Sequence, residues 1–222
     1  MAVSLALASC AGVPRTMTKG GSAPTRALGA DSGIPPKADA WFAIVTPDGL
    51  MVAINHASVH VTLQMRGSDV RTRPDDAHLY LVDGQIIQFA VTSTEDWGRG
   101  AEGAALLEAH MVWESNYVAE SLRAPIVPRR MAPCAALGKR PCLVWVVDQT
   151  PTLDSTAETR VTGNVYATTV VQDQVLIVSS PVLGAATDTQ VSNHLLEILA
   201  SLDVRSSPIL PEVESRRIRG EP

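Results

Sequence analysis

"NVYATTVVQDQVLIVSS", residues 164–180, carries more topological information than any other stretch of this chain. Two apolar runs of strand length, rich in β-branched residues, meet at Gln172-Asp173, which is the pattern of a tight antiparallel hairpin. Shortly downstream a helix is predicted. Thr187 stands three residues before Gln190, the spacing of a capping box, and Val191, Leu195, Ile198, Leu199 and Leu202 then recur at three- and four-residue intervals. Long strands joined by a short turn and followed by an amphipathic helix call for an antiparallel sheet with helical cover.

The same grammar extends towards the N-terminus. "LVWVVD" (143–148) is apolar on both parities and reads as a strand buried on both faces. Before it, Leu106, Leu107, Met111, Tyr117, Val118 and Leu122 give a helix over about 102–122, stopped by Pro125 and Pro128. "HLYLVDGQIIQFAVTS" (78–93) sets Asp83-Gly84 between two apolar runs, the strongest hairpin signal present. "WFAIVTPDG" and "LMVAIN" form another hairpin at Pro47-Asp48-Gly49, and Val59, Val61, Leu63 and Met65 alternate with polar residues, so that strand is expected to keep one wet face. Helices separated by meanders rather than by single strands define an α+β fold: an antiparallel sheet of about six to eight strands covered by two main helices. It occupies residues 38–204 as one domain. The polar, proline-containing stretch 205–222 is expected to be a disordered tail.

Two resemblances add to this. The segment 165–182 and the helix ending "LLEILASLDV" (195–204) resemble the end of Mog1/PsbP-like domains, which include bacterial envelope lipoproteins. That implies a fold and carries over no functional residue. At the other end, Leu7-Ala8-Ser9-Cys10 within "LALASCAG" (5–12) resembles a bacterial lipobox, although no Lys or Arg precedes the apolar stretch as export signals usually have. The resemblance implies a signal peptide over 1–9, lipid attachment at Cys10 as the mature N-terminus, and, with Ala11 in place of aspartate, an outer-membrane destination facing the periplasm. Residues 10–37, rich in Gly, Pro, Ser, Thr and Ala, then read as a flexible tether with a reach of about 30 Å.

The chain has three cysteines. With Cys10 lipidated, Cys134 and Cys142 are left as a disulfide pair in an exported protein, the alternative being two free thiols in a cytosolic one. No stretch approaches the ~18 apolar residues of a spanning helix.

Catalytic motifs are absent: the sequence has no phosphate-loop, dinucleotide, nucleophile-elbow, zinc-protease or EF-hand signature. No cofactor and no metal site are expected. His56 and His60, read as one strand, would lie about 13 Å apart, too far for a shared ion. His110 and Glu114 fall on the apolar arc of the first helix at contact spacing, as an ion pair at the core margin or as the acid/base pair of a hydrolase. His78 and His194 are expected to be solvated.

One charge pattern suggests a partner. No acidic residue lies between Glu120 and Asp148, an interval containing Arg123, Arg129, Arg130, Lys139 and Arg140. These cations form the candidate partner-binding surface, for another envelope protein or an anionic lipid. A net charge of −5 and the lack of interleaved aromatics argue against nucleic acid. The functional expectation is a lipid-anchored, non-catalytic binding or assembly protein, with an envelope hydrolase as the alternative.

Overall fold

A computed structural model describes residues 40–73, 76–95, 97–131, 134, 137, 140–148 and 160–221. Its elements run β1 (Ala40–Thr46), β2 (Gly49–His56), β3 (Val59–Arg66), β4 (Val70–Arg73), β5 (Asp76–Val82), β6 (Gln85–Ser93), α1 (Gly103–Leu122), β7 (Arg129–Arg130), β8 (Cys142–Asp148), β9 (Val161–Val171), β10 (Gln174–Leu183), α2 (Asp188–Ala200), β11 (Asp203–Val204) and α3 (Pro211–Arg219). The fold is α+β, and every strand pairing is antiparallel. A seven-stranded sheet has the order β4-β5-β6-β10-β9-β8-β7, and a second, four-stranded sheet the order β1-β2-β3-β11.

The hairpin at Gln172-Asp173 forms the centre of the large sheet, with Val178 facing Ala167 on one side and Phe89 on the other. Both of its faces are covered. Leu106, Leu107, Met111 and Val118 of α1 pack on Trp145, Val147, Tyr166, Val175 and Ile177. On the opposite face, Val144, Val146, Val165, Ala167, Leu176 and Val178 share a core with Val191, Leu195, Ile198 and Leu199 of α2 and with Val52, Ile54, Val61 and Leu63 of the small sheet. Double cover is why β8 is apolar on both parities. The capping box of α2 is present: Thr187 Oγ1 accepts the Gln190 amide (3.3 Å) and Gln190 Oε1 accepts that of Thr187 (2.9 Å).

Tight turns set the registers. Gly49 is required at its position, with φ of 144° and a Cβ site only 2.2 Å from the Met65 carbonyl oxygen. His56 and His60 do not share a strand. They flank the two-residue turn at Ala57-Ser58, with His56 opposite Val59 and His60 opposite Asn55.

The C-terminal stretch differs from its expected disorder. Beyond β11, which pairs with Val61 and Thr62 of β3, the chain runs back over the small sheet and ends in α3. Asn55 holds it there: its Nδ2 donates to the Ile209 carbonyl (2.9 Å) and its Oδ1 accepts the Ile209 amide (2.8 Å). Met51, Ala53, Asn55 and Thr62, which alternation turns away from the main core, are also buried. The face of β3 expected to be wet is therefore partly dry. α3 is closed by Glu214, itself buried, which accepts from Arg217 Nε (2.7 Å) and lies 3.6 Å from Arg205.

Candidate functional site

Cys10, the tether and Lys139 lie outside the described residues. Cys134 and Cys142 are joined by a disulfide, with Cα atoms 5.6 Å apart, and the bridge ties the loop before β8 to the first residue of that strand.

The arginines of the 123–140 interval are not presented together. Arg129 pairs with Val146 and Arg130 with Trp145, near the middle of β8, whereas Arg140 is exposed before its start. The three to four residues between Cys142 and these partners span about 10–13 Å. Two of the cations are also neutralised by acids from other elements. Arg129 bridges Asp148 (3.3 Å) and Asp188, and hydrogen bonds first to Asp188 and then to Asp148 hold its guanidinium above the ordinary range. Arg130 pairs with Glu108 of α1. Arg123 is the C-cap of α1 in the left-handed region (φ 53°). The absence of acids along the interval thus overstates the exposed positive charge. Half-exposed pairs of this kind contribute little, and Arg129→Ala is expected to lower stability by about 1 kcal/mol in urea unfolding, Arg140→Ala by nothing measurable.

His110 and Glu114 do come to one buried face of α1, as their spacing predicts. Their surroundings do not suit acid/base work. The His110 ring is fully buried, with centroids of Trp97, Trp113 and Trp145 at 5.2, 6.1 and 6.3 Å, and neither ring nitrogen has a hydrogen-bond partner among the described residues. Burial pushes the imidazole down to about 4. An imidazolium held by a carboxylate would move the other way. Two cavities formed by the described residues, at β3 and α2 and at residues 205–214, lie elsewhere.

One of those cavities identifies residues that sequence reading passed over. About 330 Å³ in volume, it opens between the end of β3 and α2 and is lined by Gln64, Arg66, His194, Glu197, Ile198, Ala200 and Ser201. His194, expected to be solvated, is half-buried and fixed: its Nδ1 lies 3.3 Å from Gln85 Oε1, while Gln85 Nε2 donates to Ser180 Oγ (3.0 Å). The contact with Gln85 fixes the orientation of the ring. Ser201 Oγ donates to the Ile198 carbonyl (2.6 Å) and accepts the Gln64 amide (2.7 Å), which leaves it no proton for nucleophilic chemistry. Gln64 Nε2 donates to Thr46 Oγ1 (2.7 Å). Arg66 and Glu197 are exposed and hold no ion pair among the described residues. The second cavity, about 360 Å³, lies between residues 205 and 214, where the C-terminal stretch enters α3.

No helix among the described residues is long and apolar enough to cross a membrane, and no group of three His, Cys, Asp or Glu side chains there is placed to hold a metal ion. No protein-family model, curated protein or solved structure matches the chain.

Proposed function

We propose that this is an exported, lipid-anchored protein of the bacterial envelope with a non-catalytic binding or assembly role. The observation that carries the reading is the disulfide between Cys134 and Cys142, a bond that persists in oxidising compartments and is rare in the cytosol. It fits the lipobox reading of Cys10, which then accounts for the third cysteine. The partner is another envelope protein or an anionic lipid surface, and Arg123 and Arg140 are the described cations of the 123–140 interval available to meet it.

Labelled palmitate should enter the wild-type chain in bacterial cells and be absent from Cys10→Ala. Intact-mass measurement should show Cys134 and Cys142 oxidised in the same material. Protein recovered with Met1 retained and all three thiols reduced would overturn the proposal. The bridge closes a loop of sequence separation 8, so Cys134→Ser with Cys142→Ser is expected to cost about 2.5 kcal/mol in urea unfolding, and a reductant should weaken the wild type to the same level.

A further inference from the structure

We propose that the cleft between β3 and α2 binds a small zwitterionic molecule, an amino acid or short peptide, with Arg66 taking its carboxylate and Glu197 its ammonium group. At about 330 Å³ the cavity is at the lower end of the range that small-molecule sites occupy. Two opposite charges line it without forming an ion pair with each other among the described residues. A simple anion would be attracted by Arg66 and repelled by Glu197. A metal ion would find one carboxylate and a guanidinium, which is not a cation site. A ligand carrying both charges complements both side chains.

The remaining lining agrees with that class. Ile198 and Ala200 offer an apolar floor for a short aliphatic stem. His194, held in place by the Ser180–Gln85–His194 chain, adds a polar ring to the lining. A guanidinium recognises a carboxylate through two parallel hydrogen bonds, which accounts for an arginine on that wall. None of this depends on lipid at Cys10, so the site stands or falls separately from the envelope reading.

The test is an amide NMR titration of the full-length chain with alanyl-alanine, its N-acetyl derivative and its C-terminal amide. The free dipeptide should shift the amides of Gln64, Arg66, His194, Glu197 and Ser201 saturably, and each blocked form should bind about fivefold more weakly. Glu197→Gln should abolish the penalty for acetylation while keeping that for amidation, and Arg66→Gln the reverse. Both side chains are exposed, so the variants should keep the wild-type thermal midpoint. Absence of saturable shifts at these residues, or equal binding of all three ligands, would overturn the assignment.

Discussion

Asn55→Leu is expected to lower stability by about 4 kcal/mol, the largest loss anticipated for any single substitution considered. The side chain is almost fully buried and holds both backbone groups of Ile209, donor and acceptor, across 154 residues of sequence. Leucine fills a similar space but leaves a buried N–H and a buried C=O unsatisfied, each worth about 1–3 kcal/mol. The consequence is local first. The stretch carrying α3 is held against the small sheet through Asn55, so its release frees residues 205–222 from that sheet. Urea unfolding should show a lower midpoint, and limited proteolysis should cut within residues 205–222 well before the core is attacked. Wild-type stability, or cleavage at the wild-type rate, would mean that the Asn55 contacts do not hold the tail. Asn55→Asp should be nearly as damaging, because the carboxylate keeps the acceptor and loses the donor facing the Ile209 carbonyl.

The reason the tail looks disordered in the sequence lies in what is weighed. Its composition is polar and its apolar residues few, which argues against a buried segment. Its local signals argue for a helix: Pro211 at N1, Glu212 and Glu214 in the first turn, Arg216, Arg217 and Arg219 in the last, and Gly220 at the C-cap with φ of 69°. Composition reports how much a segment can bury, and end signals report what shape it takes when something else supplies the anchor. Here the anchor is one asparagine in another element, and no pattern within 205–222 reveals it. The same limit accounts for the second sheet, since alternation in β3 marks Thr62 as polar but cannot say that another part of the chain will cover it.

Elements whose evidence is local were legible. The Gln172-Asp173 and Asp83-Gly84 hairpins, the capping box at Thr187 and the stripe of α2 all follow from neighbours in sequence. The candidate sites depend on neighbours in space. Counting charges along 121–147 finds cations without acids, whereas Glu108, Asp148 and Asp188 reach Arg129 and Arg130 from three other elements. Helical periodicity places His194 off the apolar stripe, but that it meets Gln85, 109 residues earlier, becomes visible only once β6 and α2 are packed together.

His110 should make the protein acid-sensitive through one identifiable group. Its folded-state value is depressed from 6.5 to about 4 by burial. Above pH 6.5 the ring is neutral in both folded and unfolded chains, and its titration costs nothing. Between 6.5 and 4 the unfolded chain binds a proton that the folded one excludes, so stability falls with pH across that window by about 3 kcal/mol in total. The aromatic neighbours of the ring carry no charge that would offset this. Trp97, Trp113 and Trp145 are uncharged, Tyr166 is stacked on Trp145 at 4.0 Å, and Glu114 is the one carboxylate on the same buried face of α1. Carboxylates elsewhere add their own acid dependence, so the measurement is a difference. His110→Phe keeps an aromatic ring among the tryptophans and removes the titration. Its stability relative to wild type should rise by about 3 kcal/mol between pH 7 and pH 4, with most of the change below pH 6. At pH 7 the variant should be no less stable, because phenylalanine buries no unpartnered nitrogen. Parallel stability curves for the two proteins would show that the imidazole is hydrated or paired in solution, and that α1 does not seal it against the sheet.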